Sequence, residues 1–439
     1  VTPQASGKNL TLAIPPDPAL AGLVLGLSEA AERLFDLERA DVLRLTLAME
    51  ELFLYACQVA DAREPVSVNL GMKGPSARAE FRFRAAAVDP RYLNFAARVS
   101  PEQAGAVEMG LFLASRATDQ CTLVRLDPQS YLLAAEVDRT FPEAEPIRAP
   151  LAVQPPFQAQ PSPSEEVLRH AAMLGAGLYP ARLCPHGFRT PGRLLAQVRA
   201  GLRSALAVVD AAGRPAGLML WRISEGKAAL FSGPYVFAGS RREEIARLLA
   251  DGIIQALART GTLSVVSERA TPDVPPGYFE PLGFLNASGG EAGGAAQPSL
   301  FRSLEEDRGA VVWAHETLAG FLRGRYADMA FAREILDAPG RDGSLQDHSL
   351  LATRAERRHG LAVLRAVLDG RDLAANLSEH VQALRAMGVG DVQFRLDLGQ
   401  AWQAALAQDL ARAGFEPRLV LPHAGTSDLL VFEHVAESR

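Results

Sequence analysis

The sequence predicts an α/β (α+β) chain of three domains. Three observations predict it. The 439 residues exceed what one core usually serves, since domains commonly hold roughly 100 to 200 residues. Runs with strand-like alternation and runs with helical spacing follow one another along the whole chain. Two breaks divide it: seven prolines between Pro142 and Pro163, and the glycine-rich stretch Gly289 to Gly294. Proline lacks a backbone donor and favours extended conformers, so the first break reads as a linker. The second has no side chain able to anchor it and reads as a long loop. The expected boundaries are 1–141, a linker 142–163, 164–304 and 305–439.

In the first part, Leu10 to Ile14 reads as a strand, Leu20 to Phe35 and Arg39 to Ala60 as helices. Leu43, Leu47, Glu51 and Tyr55 stack at i+4 steps on one stripe of the second helix. Val66 to Leu70 and Ala79 to Arg84 alternate as strands, Gly110 to Ala117 reads as a helix, and Cys121 to Leu126 with Tyr131 to Val137 close the unit. A helix layer on a largely antiparallel sheet is the simplest packing of that order.

Met49-Glu50-Glu51-Leu52-Phe53-Leu54-Tyr55-Ala56 resembles the N-box of the GHKL ATPases, in particular of anti-sigma-factor serine kinases, and Gly110-Leu111-Phe112-Leu113 resembles their second glycine box. The resemblance covers roughly residues 10–140. It implies an ATPase-like α/β sandwich with ATP and magnesium as cofactors, Glu51 acting on water and Gly110 lining the nucleotide site. The sequence departs from that pattern. Tyr55 stands where the family's asparagine carries magnesium, and a phenol is a poor ligand for a hard cation. Ala85 to Pro90 contains no glycine where the family keeps Asp-x-Gly-x-Gly. The plainer alternative makes Glu51 a solvated helix residue and Gly110 a helix start, and the unit a binding or dimerisation module.

After the linker, Ser164 to Leu174 and Gly192 to Gly201 read as helices, then Ala205 to Val209, Ala216 to Ile223 and Ala228 to Phe237 as antiparallel strands. Arg241 to Arg259 is an amphipathic helix, followed by the strand Leu263 to Ser267 and the segment Tyr278-Phe279-Glu280-Pro281-Leu282-Gly283-Phe284. This order and ending resemble the GCN5-related N-acetyltransferase (GNAT) fold. The resemblance implies an acyl-CoA, such as acetyl-CoA, lying where a central strand splays from its neighbour. Its pyrophosphate would sit at the start of the next helix, whose unpaired N–H groups and dipole favour an anion. It points to Val236, Arg241, Arg242, Ile245, Ala246 and Arg247 as cofactor-binding residues. Glu244 takes the place of a family glycine, adding bulk and charge beside a pyrophosphate. Phe279 takes the place of the family's proton-donating tyrosine, and adjacent Tyr278 is the candidate catalytic acid. The plainer alternatives are a charged first turn with internal ion pairs and a packed aromatic.

The last part reads as a helix His315 to Leu336, a strand Gly360 to Val367, a helix Leu373 to Met387, a strand Val392 to Leu398, a helix Ala401 to Ala413, and strands Arg418 to Pro422 and Asp428 to Glu433. Gly414-Phe415-Glu416-Pro417 resembles the same acetyltransferase ending, which implies a second, degenerate GNAT-like domain: its loop Leu368 to Asp372 lacks the phosphate-binding pattern and Leu410 holds the tyrosine position. Asp369, Asp372 and Asp397 lie at strand ends, as ligand-binding or capping residues. His423 to Asp428 reads as a hairpin in preference to a Ser/His/Asp site.

The net charge of −6 and interleaved Arg and Glu argue against nucleic-acid binding. Three separated cysteines and scattered histidines offer no disulfide framework and no metal site. No apolar run approaches the roughly 20 residues of a membrane span, and no signal pattern opens the sequence, so the cytoplasm is the expected compartment. Two function classes follow: an acyl-CoA-dependent N-acetyltransferase acting on a small-molecule amine, with an ATPase-like regulatory domain, or a non-catalytic regulatory protein that binds a signalling partner or small ligand.

Overall fold

The structure, a computed structural model, describes residues 9–99, 105–285, 297–341 and 345–435. It groups the chain into two compact units: residues 1–140, 344–353 and 365–380, and residues 141–343, 354–364 and 381–439. The glycine-rich stretch Gly289 to Gly294 lies outside the described residues.

The first unit opens with strand β1 (Leu10–Ile14), helices α1 (Ala21–Phe35) and α2 (Arg39–Val59), and strands β2 (Val66–Lys73) and β3 (Ser76–Arg84). Helix α3 (Ala106–Ala117) and strands β4 (Gln120–Arg125) and β5 (Ser130–Asp138) complete this stretch. The five strands form an antiparallel sheet in the order β1-β2-β3-β5-β4. Alternation works as the period-2 rule requires: Val66, Val68 and Leu70 of β2 and Ala77, Ala79, Phe81 and Phe83 of β3 are buried. On α2 the buried face is Leu45, Ala48, Met49, Leu52, Phe53 and Ala56, while Leu43 and Leu47 of the expected stripe are exposed and Tyr55 is buried. Each i+4 step advances about 40° around the helix. Three such steps therefore carry a stripe from the solvent face to the core.

The second unit contains strand β6 (Gln158–Pro161), helices α4 (Glu165–Leu178) and α5 (Pro191–Arg199), strands β7 (Ser204–Val209), β8 (Pro215–Ile223) and β9 (Ala228–Val236), helix α6 (Arg242–Leu257), and strands β10 (Ser264–Ala270), β11 (Glu280–Leu285) and β12 (Gln297–Ser303). They form a seven-stranded sheet in the order β11-β12-β10-β9-β8-β7-β6. Only β9 and β10 run parallel, joined by the crossover helix α6. Ile245, Leu249 and Ile253 of α6 pack on one face of this sheet, and Leu168, Leu174 and Leu194 of α4 and α5 pack on the other. The proline-rich stretch is held along its length: Ile147 N–H donates to Met173 O at 3.0 Å and Leu151 N–H to Phe237 O at 2.8 Å, and β6 pairs with β7.

Next come strand β13 (Ala310–Ala314), helix α7 (Glu316–Asp328), and strands β14 (Arg333–Asp337), β15 (Leu350–Glu356) and β16 (Leu361–Leu368). Helix α8 (Leu373–Ala386), strand β17 (Asp391–Asp397), helices α9 (Ala401–Ala404) and α10 (Ala407–Arg412), and strands β18 (Phe415–Leu421) and β19 (Leu429–His434) end the chain. The helix expected over 315–336 stops at Asp328. Ala330 takes a left-handed conformation, φ 54°, and Arg333–Asp337 pairs in parallel with β13, so sheet pairing overrides a helix-compatible sequence. The helix expected over 401–413 is two short ones. Leu230 of β9 and Val266 of β10 share a core with Leu282, Phe301, Leu419, Leu421 and Val431, so the last strands and the seven-stranded sheet bury one another's apolar faces.

Candidate functional site

Strands β9 and β10 pair from Ala228 with Ser264 to Gly233 with Ala270, and the pairing ends there while β9 continues to Val236. Beyond that point β9 has backbone groups facing a gap that its neighbour no longer fills. Buried backbone groups must find partners elsewhere. The chain supplies them itself.

Tyr179, which caps the C-terminus of α4, accepts from Val236 N–H at 2.6 Å and lies 3.1 Å from Val236 O. Its hydroxyl donates to the Asp273 carboxylate. Arg242, the first residue of α6, donates from Nη1 to Val236 O at 3.2 Å and Ala238 O at 2.9 Å. Its Nε and Nη2 grip Asp273 at 3.0 and 2.6 Å. Thr271 donates its hydroxyl to Pro234 O and its N–H to Gly233 O, the latter at 3.3 Å. Burial raises the Tyr179 pKa, and the bond to Asp273 raises it further, so the phenol stays a neutral donor. Arg242 is held above its ordinary value by Asp273 against the opposing effect of burial.

The residues singled out around this helix fall into distinct places. Val236 and Arg242 meet in the gap. Arg241 is the left-handed N-cap of α6, φ 56°, and pairs with Glu244 at 3.1 Å. Arg247 pairs with Glu243 at 2.5 Å. All four of these side chains are exposed, as surface ion pairs within one helical turn. Ile245 N–H donates to Arg241 O at 3.2 Å, and Ile245 and Ala246 are buried in the core beneath. The α6 amides without an intrahelical partner are therefore those of Arg242, Glu243 and Glu244, one turn before Ile245 and Ala246. The Tyr278 hydroxyl donates to Asp251 at 3.0 Å, more than two helical turns along α6 from Arg242. Phe279 stacks on Phe231 with ring centroids 4.8 Å apart.

An acyl-CoA does not fit this gap as it stands. The Val236 N–H and C=O are engaged by Tyr179 and Arg242, and the α6 residue nearest the strand end spends its guanidinium on Asp273. Tyr179, Thr271 and Asp273 were not found by sequence reasoning. They come from a helix end and a loop distant in sequence, and only the turn-forming Thr271-Pro272-Asp273 gave a local signal.

In the first unit, Glu51 of α2 and Gly110 of α3 are in contact: a Cβ on Gly110 would collide with Glu51 Oε2. Burial, with Glu50 adding, raises the Glu51 pKa. The Tyr55 hydroxyl bridges Asp89, 3.2 Å from both its N–H and its C=O. ATP with magnesium does not fit either: Tyr55 stands where the resemblance would put the magnesium ligand, and its hydroxyl is engaged by the Asp89 backbone. Among the described residues no group of three or more His, Cys, Asp or Glu is placed to hold a metal, and no helix is long and apolar enough to cross a membrane.

A buried network completes this unit. Asn94 Nδ2 donates to Ser349 O at 2.8 Å, Leu351 N–H donates to Asn94 Oδ1 at 3.0 Å, and Asn376 Nδ2 donates to Ser349 Oγ at 2.9 Å. Leu350 and Leu368 enter the same core as α2 and α3.

No known protein family matches the chain, and no curated protein matches it. Solved structures of acetyltransferases match about a third of it. An N-acetyltransferase from Staphylococcus aureus is 14% identical over 34% of this chain and 100% of its own, with a TM-score of 0.29. A GNAT-superfamily phosphinothricin acetyltransferase from Sinorhizobium meliloti, solved with AcCoA, is 13% identical over 34% and 89%, with a TM-score of 0.27. A GNAT-family N-acetyltransferase from Escherichia coli, solved with CoA, is 14% identical over 35% and 84%, with a TM-score of 0.23.

Proposed function

We propose that residues 164–304 form an acetyltransferase-type scaffold used for regulatory binding instead of acyl transfer, and that the ATPase-like first unit serves the same protein as a docking module without nucleotide chemistry. One observation carries this reading: the gap-facing N–H and C=O of Val236 are taken by Tyr179 and Arg242. A ligand entering there must break charge-assisted hydrogen bonds centred on Asp273, which are among the stronger kinds. The absence of an acid at position 279 and the outward pairing of Tyr278 with Asp251 point the same way.

A second reading keeps the enzyme. Helix α6 begins at Arg242, and its N-cap Arg241 makes no side-chain cap bond, which leaves first-turn amides suited to a pyrophosphate. In it, the scaffold is an acyl-CoA-dependent N-acetyltransferase acting on a small amine, and the acyl-CoA would supply the thioester. Arg242 would have to leave Val236 before the cofactor could enter.

Thermal-shift titration of the whole chain separates the two, because a ligand that binds only the folded state raises the melting temperature. With acetyl-CoA, and separately with ATP and magnesium, no saturable shift up to millimolar concentration is expected. A saturable shift with acetyl-CoA that grows in Tyr179→Phe overturns the regulatory reading in favour of the enzyme.

A further inference from the structure

On the α4 and α5 side of the seven-stranded sheet, charged side chains lie in a layer that the gap does not use. Arg222 of β8 donates to Glu268 Oε1 from Nη2 at 3.0 Å and from Nε at 3.3 Å. Glu268 stands at the irregularity of β10, between Ser267 and Arg269. Arg203, just before β7, and Arg269 approach Glu268 Oε2 at 3.7 and 3.9 Å. Arg269 also pairs with Glu356, which His359 contacts from Nδ1 at 2.6 Å. The layer thus sets three buried or half-buried guanidinium groups against two carboxylates.

Two donor atoms in this layer, Arg203 Nη1 and Ser232 Oγ, make no hydrogen bond. Arg203 is 8% exposed and its Nη1 makes no hydrogen bond. Ser232 of β9 is 0% exposed, its hydroxyl makes none either, and it stands in register with Arg269. A buried guanidinium N–H and a buried hydroxyl left unpaired each cost free energy, so such groups mark places where another molecule completes the bonding. Both can donate. Glu268 Oε2 also lacks a hydrogen bond, but the two neighbouring guanidinium groups offset its charge. With an excess positive charge and two unused donors, the complement is an acceptor carrying negative charge. Arg269 already holds one carboxylate in this layer, that of Glu356, and a guanidinium's planar fork matches carboxylate oxygens.

We infer that the layer built by Arg203, Arg222, Ser232 and Arg269 is a binding site for a small carboxylate ligand. It lies before the point where β9 and β10 part, so it does not require the gap to open, and the inference stands apart from the acyl-CoA question.

The test is isothermal calorimetry on the whole chain with succinate, beside inorganic phosphate and chloride at matched ionic strength. Saturable binding of succinate is expected, with no comparable response to the other two. Ser232→Ala removes one unpaired hydroxyl without altering the fold and weakens succinate about fivefold; Arg203→Met weakens it tenfold or more. If Arg203→Met fails to fold, Ser232→Ala still decides. No succinate binding, equal binding of phosphate, or unchanged affinity in Ser232→Ala overturns the inference.

Discussion

Glu51 on α2 lies directly against Gly110 on α3, with its Cδ 3.0 Å from where a Gly110 Cβ would stand. Glycine inside a helix costs roughly 0.5 to 1 kcal/mol relative to alanine, yet here it is what lets the two helices and the carboxylate share one space. The obstacle is the end of a flexible side chain, so the two effects are of similar size and their sum depends on Glu51. Gly110→Ala is expected to change stability by less than about 0.5 kcal/mol in the native background, because the helix-propensity gain and the displacement of the Glu51 carboxylate offset one another. In a Glu51→Ala background the same substitution should stabilise by about 0.5 to 1 kcal/mol, the helix-propensity gain alone. Urea unfolding of the four variants measures the difference. Additive effects would mean that the contact does not set the cost of a side chain at position 110.

His380 gives the first unit a pH dependence of known sign. It is fully buried, and its Nδ1–H donates to Asn376 O at 2.8 Å. Its Nε2 has no partner. Burial pushes its pKa down to about 4 from an ordinary 6.5. Below pH 6.5 the unfolded chain takes up a proton that the folded chain refuses until about pH 4. Stability from this group is therefore complete above 6.5 and falls as pH drops through that window, by about 3 kcal/mol in all. His380→Leu cannot take the proton. Between pH 7 and pH 4 the native protein should lose about 3 kcal/mol more unfolding free energy than the variant; parallel pH profiles would place the proton elsewhere.

The sequence reading succeeded where periodicity decides and failed where partners come from far along the chain. Helix α6 and strands β7 to β10 were visible because each carries a regular apolar pattern that a sheet or helix must bury. The stripe Leu43, Leu47, Glu51 and Tyr55 runs from solvent to core, because i+4 spacing drifts around the helix and does not fix which face is buried. Residues 333–337 carry a helix-compatible sequence yet pair with β13, and a strand's pairing partner cannot be read from its own residues. Val236 is singled out only through the resemblance, and neither Tyr179 nor Asp273 carries a local signal of its role: nothing in a tyrosine at a helix end says that its hydroxyl will take a strand's free N–H. The network of Asn94, Ser349 and Asn376 is hidden for the same reason, because Asn94 lies 255 and 282 residues from its two partners.

The stretch His423 to Asp428 shows what its polar residues do. Asp428, 0% exposed, accepts from Arg333 Nε at 2.7 Å and from His423 N–H at 2.8 Å. Arg333, whose side chain is equally buried, also donates from Nη1 to Asp307 at 2.7 Å, and its guanidinium lies 4.9 Å from the centre of the Phe331 ring. Removing one partner from such a set leaves the other charge buried and unpaired, which costs roughly 3 to 5 kcal/mol, whereas removing both is far milder. Arg333→Met alone should therefore lower stability by about 3 to 5 kcal/mol. Adding Asp428→Asn should recover part of that loss, because the amide carries no charge and can still accept from His423 N–H. Chemical denaturation of the single and double variants checks this. A double variant weaker than Arg333→Met would show that Asp428 matters chiefly as the anchor of the 423–428 turn and not as the counter-charge of Arg333.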